Sequence, residues 1–348
     1  MAWPVGNTAQ DNRTSLSWAV EHGHHEVVEL LLEQIGIGPS ATGTRDNRAP
    51  LLLAVENGDQ GVVKLLLEQW KMDPDTSGTK YGAILLRSAI ERGHEGIVKL
   101  LLEREDINPN TPDTKFGKTP LWEAVGSGHE EIARLLLERE DIDPNTPDTI
   151  YGRTPLWRAV LGRHKGIVKL LLERDDTNPN TPDTKIDRTP LFEAVRSGHE
   201  EIVRLLLERE DINPNTPDAE SGRTPLYVAV CAKHKEIVRL LLEREDLDPN
   251  TLDTKSGRTP LWMAACSRHE EIARLLLERE DINPNTSDTK LGRTPLRDAV
   301  YHGHEGVTRL LLEREDIDPN TPDTESGRTP FWAVFPTGQA VRRPAYRP

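Results

Sequence analysis

Apolar residues fall along the chain in two clusters of different width, separated by polar, proline-bearing stretches. Between Thr189 and Arg223, Leu191, Ala194 and Val195 lie at i, i+3 and i+4, a single stripe of helical period. Ile202, Val203, Leu205, Leu206 and Leu207 follow as a broader stripe, suited to a helix packed against its partner and both neighbours. After Arg209 the period stops. Pro214 and Pro217 exclude helix from the polar run Asp211 to Asp218, which reads as an extended or turning loop. The pattern predicts helix, tight turn, helix, loop.

The helix boundaries carry their own signals. Thr189 is an N-cap residue whose hydroxyl can take an orphan N–H of the first turn, and Pro190 suits the first helical position. Gly198 can close the short helix in the left-handed conformation. Glu200 and Glu201 meet the positive end of the second helix, and Glu200 pairs with Arg204 at i,i+4. This string recurs every 35 residues. Thr-Pro pairs begin at Thr119, Thr154, Thr189, Thr224, Thr259, Thr294 and Thr329, and the register extends back to Ile84-Leu85, Ala49-Pro50 and Thr14-Ser15. A fixed period in the range of roughly 20–50 residues marks a stacked-repeat architecture, in which function is read from faces. Ile84-Leu85 lacks the Thr cap. Arg163, Lys233 and Arg268 stand where the turn glycine is expected; if left-handed, each costs roughly 1–2 kcal/mol.

Thr-Pro-Leu at the entry, the Gly198-His199 pair, the run from Ile202 to Leu207 and the following Asp211-x-Asn213 resemble the ankyrin repeat, over about residues 10–335. The period is longer than the usual unit, with the extra length in the Asn-Pro-Asn-Thr-Pro-Asp loop. The usual His after Thr-Pro-Leu is replaced by Trp122, Trp157, Phe192, Tyr227, Trp262, Arg297 or Trp332. The resemblance implies an all-α, ankyrin-repeat solenoid of helix-turn-helix units with projecting loops, acting as a protein-binding scaffold. It also implies contacts through loop tips and the exposed side of the first helix, as in the recognition ends of larger signalling proteins, NACHT-type receptors among them. The organisation expected is an irregular segment 1–13, an array 14–335 of nine repeats plus a partial tenth, and a basic, disordered tail 336–348. Phe331, Trp332 and Phe335 would give that end an apolar face, so the chain is cut from a longer array or docks there.

Composition narrows the partners. A net charge of −14 argues against nucleic acid, although Lys118, Arg153, Arg188, Arg223, Arg258, Arg293 and Arg328 form a basic row before each Thr-Pro. No stretch is apolar and long enough to span a membrane, and no signal peptide is visible, so a cytoplasmic protein is expected, with the nucleus open. Cys231 and Cys266 occupy the same position in adjacent repeats. Stacked helices lie roughly 8–10 Å apart, too far for a disulfide, so both read as free thiols of a reducing compartment.

Candidate chemistry dissolves into the repeat. The histidines, one per repeat from His94 to His304, are too widely spaced to share a metal and read as turn residues; His22, His24 and His25 cluster locally. Gly117-Lys118-Thr119 lacks the upstream glycine of a phosphate loop. Asp141-x-Asp143-x-Asn145 begins like a calcium loop but has Thr146 and Gly152 where Gly and Glu are needed, so turn chemistry is the reading. No carboxylate pair or nucleophile stands apart from the repeat, so no catalytic residue, metal site or cofactor is expected. The aromatic column at Trp122 reads as packing between repeats, with ligand contact as the alternative.

The expected partner-binding residues are the tips two residues before the basic row: Tyr81, Phe116, Tyr151 and Ile186, where later repeats mostly carry Ser. Arg153 and Arg188 would orient acidic groups of a partner. Leu161 and Arg196, with Arg92, are matching first-helix positions that diverge. Packing of each tip ring on its neighbouring loop is the alternative for the tips. For the whole chain the alternatives are a calcium- or metal-dependent module, or a purely geometric spacer in a larger assembly.

Overall fold

The computed structural model describes residues 15–35, 50–69, 78–324 and 326–330. The segment 1–13, the cap position Thr14, the divergent loop of the first repeat, the apolar residues Phe331, Trp332 and Phe335, and the tail 336–348 lie outside the described residues. The described residues form paired helices and no strand, an all-α repeat solenoid. None of these helices is long and apolar enough to cross a membrane.

The chain divides into two compact units, Met1–Ile150 and Tyr151–Pro348. The first contains α1 (Ser15–Glu21), α2 (His25–Ile35), α3 (Pro50–Asn57), α4 (Gln60–Gln69), α5 (Gly78–Glu91), α6 (Glu95–Leu102), α7 (Pro120–Ser127) and α8 (Glu130–Leu137). Odd-numbered helices pack side by side in one layer and even-numbered helices in another. The second unit repeats this layering with α9 (Pro155–Leu161), α10 (Lys165–Leu172), α11 (Pro190–Arg196), α12 (Glu200–Leu207), α13 (Pro225–Ala232), α14 (Lys235–Leu242), α15 (Pro260–Cys266), α16 (Glu270–Leu277), α17 (Pro295–Tyr301) and α18 (Glu305–Leu312).

The caps form as the sequence predicts. Thr189 is extended and buried, and its Oγ1 accepts the Phe192 N–H at 3.2 Å, with Pro190 at the first helical position. Thr119, Thr154, Thr224, Thr259 and Thr294 do the same. The turn stays left-handed without glycine: φ is 59° at Arg163, 62° at Lys233 and 58° at Arg268. Leu191, Ala194, Val195 and Leu206 are fully buried, whereas Leu205 and Leu207 are half-buried.

The third repeat departs from expectation. With neither Thr nor Pro at Ile84-Leu85, nothing stops helix there, and α5 runs back to Gly78 for a length of 14 residues. Lys80-Tyr81 is therefore helix rather than a tip.

The loops are interlocked. Arg244 forks onto Asp246 (2.9 Å through Nε and through Nη2) and donates Nη1 to the carbonyls of Leu207 and Arg209 in the preceding repeat, both at 3.2 Å. The Leu207 carbonyl ends α12, and the Arg209 carbonyl lies just beyond it. Arg209, Arg279 and Arg314 repeat the arrangement. A recurring Asn makes a second bridge. Asn215 Nδ2 donates to the Asp246 carbonyl at 2.7 Å, and its Oδ1 accepts the Asp248 N–H at 2.8 Å. One amide thus satisfies two backbone groups of the next repeat.

Candidate functional site

Each tip is built around a carboxylate. In the second unit, Asp218 Oδ1 accepts the Ser221 N–H at 2.9 Å and the Ser221 hydroxyl at 2.7 Å, while the Asp218 N–H donates to the Arg223 carbonyl. Burial of Asp218 works to raise its pKa. The Ser221 hydroxyl, the backbone donors and Arg188 outweigh it and hold the carboxyl below its ordinary range. Ser221 and Ser256 are buried, and Ser256 Oγ donates to both oxygens of Asp253 at 2.8 Å. Serine at this position therefore completes the tip.

Ile186 occupies the same position and cannot donate. Asp183 still receives the Lys185 and Ile186 N–H groups on Oδ1, but its buried Oδ2 has no hydrogen-bond partner. Ile186 is half-buried, and its carbonyl accepts the Ala219 N–H at 2.9 Å. Tyr151 is also half-buried, with Arg153 4.3 Å and Lys185 4.4 Å from its ring centroid. In the first unit, Phe116 carries Lys115 at 4.6 Å and Lys118 at 5.3 Å. Each of the two rings thus lies within cation–π reach of two basic side chains.

Three expected contact residues are placed otherwise. Tyr81 lies inside α5, half-buried, and burial of its hydroxyl raises its pKa well above the ordinary phenol value. Arg153 is clamped between Tyr151 and Trp157, at 3.9 Å from the latter's centroid. Arg188 lies over Phe192 and pairs with Asp218 at 3.4 Å and Glu220 at 3.7 Å. In the basic row, Arg188 and Arg258 each lie over an aromatic ring and pair with a buried carboxylate of the next repeat. Leu161 and Arg196 end their first helices and are exposed, Leu161 at 39%. Arg196 Nε donates to Glu193 Oε2 at 3.0 Å, so one side of its guanidinium is held.

The aromatic column is packing. Trp157 and Trp262 are almost wholly buried, and each indole N–H donates at 2.9 Å to the carbonyl of the basic residue in the next repeat. This explains Arg297 in the same column. Its Nη1 donates to the Arg328 carbonyl at 2.8 Å, and its charge pairs with buried Asp323.

The histidines are turn residues with a further task. His269 Nδ1 donates to the Val230 carbonyl at 3.1 Å and His304 Nδ1 to the Ala265 carbonyl at 2.8 Å, closing the last turn of the preceding repeat's first helix. Burial, then Lys233, depresses the His269 pKa, consistent with a neutral donor. The ring also abuts the turn glycine: a Cβ on Gly198 would sit 2.9 Å from His234 Cε1. The calcium-like string does turn chemistry. Arg139 takes the Asp141 carboxylate, and Asp143 accepts the Asn145 N–H and the Thr146 hydroxyl. Both cysteines are free and half-buried, and burial followed by Asp298 pushes the Cys266 thiol up to about 11.

The family described as ankyrin repeats (3 copies) matches residues 4–78, 37–113, 85–183, 166–253 and 245–323. The crystal structure of the ankyrin repeat domain of Bcl-3, described as a unique member of the IkappaB protein family, is similar at 26% identity and a TM-score of 0.55. That similarity covers 62% of this chain and 94% of that one. No curated protein matches the sequence.

Proposed function

The chain belongs to the ankyrin-repeat family, whose arrays are protein-interaction modules, and on that premise we propose that its second unit binds a partner protein through its tips and first-helix ends. Ile186 carries the reading. It offers the buried Asp183 no hydroxyl, where Ser221 donates one to Asp218 Oδ1 and Ser256 donates one to both oxygens of Asp253, so the tip's own hydrogen bonding does not account for the isoleucine. An apolar side chain that the tip does not need is one that a partner can use. Tyr151 adds an amphipathic ring beside it. Leu161 and Arg196 lie at the far ends of α9 and α11, seven-residue helices of roughly 10 Å. A partner would thus meet apolar contacts at both ends of a short helical face. Two free thiols fit a reducing compartment.

The test uses Ile186→Ser, singly and with Leu161→Ser, against the unmodified full chain immobilised for capture from cell extract. Ile186→Ser gives Asp183 the hydroxyl donor that Ser221 and Ser256 give their carboxylates, so the melting temperature holds or rises. A partner retained by the original chain is lost from the double variant, with affinity lowered about tenfold or more. Equal capture by both proteins places the contact elsewhere. Capture of nothing by either favours the geometric spacer.

A further inference from the structure

In so regular an array, departures from the repeat that converge in space are informative. Three do so in the second unit. Cys266 ends α15 at a position shared only with Cys231, where other repeats carry Gly126, Leu161, Arg196 or Tyr301. Asp298 lies in the first turn of α17 where other repeats carry Arg158, Val228 or Met263, and His302 caps that helix where Ser127, Ser197 or Ser267 is found. One thiol sulfur, one carboxylate oxygen and one imidazole nitrogen from these residues all lie within 4.8 Å of one another.

The closest internal comparison is Glu193, a buried carboxylate at the position of Asp298 three repeats earlier. Glu193 is fully answered by its own helix: Arg196 forks onto both oxygens and Ser197 Oγ donates at 3.2 Å. Asp298 is 2% exposed and has no such answer. Its Oδ2 is buried without a hydrogen-bond partner and faces His302 Nε2 at 3.5 Å. Arg293 stands on the other oxygen, 4.0 Å from Oδ1, and Arg258 is turned to Asp288 at 3.6 Å. The arginines therefore leave the Oδ2 side open toward Cys266 and His302. The His302 side chain is 44% exposed, which gives a route in from solvent.

We propose that Cys266, Asp298 and His302 form a site for a divalent transition metal ion of the zinc class. Sulfur, imidazole nitrogen and carboxylate oxygen are the donors that borderline-soft zinc takes, and three protein ligands leave one position for water. Tetrahedral coordination sets its donors about 3.3–3.8 Å apart, so the cluster must close by roughly 1 Å. Cys266 and His302 both sit at helix ends, where such a shift is local. Binding releases the Cys266 proton to solvent, and the thiolate lone pair forms the bond to the metal. The ion would tie α15 to α17 across two consecutive repeats.

Cobalt(II) is the probe, added to the full, reduced chain. Thiolate ligation produces a sulfur-to-cobalt charge-transfer band in the near ultraviolet, which ligation by His22, His24 and His25 cannot mimic. The band appears on titration and is abolished by equimolar zinc. Cys266→Ser removes it, Cys231→Ser leaves it unchanged, and Asp298→Asn and His302→Gln each weaken cobalt binding about tenfold or more. His302→Gln alters a half-exposed cap, and circular dichroism matching the parent separates lost ligation from lost fold. Absence of the band in the original chain overturns the proposal, as does a band that survives Cys266→Ser or disappears with Cys231→Ser.

Discussion

At the tip of the sixth repeat, two residues break the pattern together. Asp187 stands where Gly152, Gly222 and Gly257 stand in other repeats, and Ala219 where Thr184, Thr254 and Thr289 stand. The tip φ is positive, 53° at Asp187 against 63–65° at those glycines. A Cβ added to Gly152 would lie 2.2 Å from Thr184 Cγ2 of the next loop. Asp187 brings that Cβ, and Ala219 lacks the methyl it would strike. The two substitutions are thus complementary. Ala219→Thr alone should overpack the junction and cost about 1–3 kcal/mol. Asp187→Gly together with Ala219→Thr restores the common pair and should melt near the original temperature. Denaturant melts of the two single variants and the double give the coupling energy. Additive effects would show that the residues do not meet as described. Both departures are visible in the sequence, but only the packed loops show that they are partners.

The element that locks repeats together is the arginine that follows the second helix of each repeat from α6 onward. Its two-residue spacing to Asp recurs at Arg139–Asp141, Arg209–Asp211, Arg244–Asp246, Arg279–Asp281 and Arg314–Asp316. Lysine keeps the charge but has neither the planar fork nor the spare nitrogen that reaches the preceding helix. Arg244→Lys should therefore cost about 1–2 kcal/mol, measured by denaturant unfolding, through the unmet carbonyls of Leu207 and Arg209. The pH dependence follows from the partner carboxylates. Hydrogen bonds from arginine hold Asp211, Asp246, Asp281 and Asp316 below the ordinary carboxylate range. Their folded pKa values lie below the unfolded ones. The contribution is thus complete above the unfolded value near pH 4 and is lost as pH falls through the folded values. Stability should decline on acidification below about pH 4, and less steeply in Arg244→Lys, whose Asp246 is no longer as strongly depressed. An unchanged acid limb in that variant would remove the fork from the account.

Across the molecule, stability is distributed rather than centred. Leu206 is fully buried in α12, which packs on α10 and α14. Leu206→Ala should cost about 2–5 kcal/mol. In an array with nearest-neighbour coupling, such a loss weakens one link while the flanking repeats keep theirs. Hydrogen exchange should then show the sixth repeat opening before the repeats on either side of it in the second unit. A single transition, shifted as a whole, would mean that coupling runs beyond nearest neighbours.

Period, helix pairing, Thr caps and left-handed turns were legible in the chain because each depends on residues a few positions apart, repeated often enough to stand above noise. The long helix at Gly78–Glu91 was half legible: Ile84-Leu85 shows the missing cap, but how far helix runs back depends on what no longer stops it. The roles of the basic row, the arginine fork and the bridging Asn were not legible, although their period was. Each makes its bond to a residue about 30 to 37 positions away, in the next or the preceding repeat. The same holds for the tips. Sequence separates Ile186 from Ser221 and Ser256, and only the packed tip shows that the isoleucine leaves buried Asp183 without the hydroxyl that serine supplies. Likewise Cys266, Asp298 and His302 are unremarkable in order along the chain. They become one site because stacking brings the end of α15 beside α17.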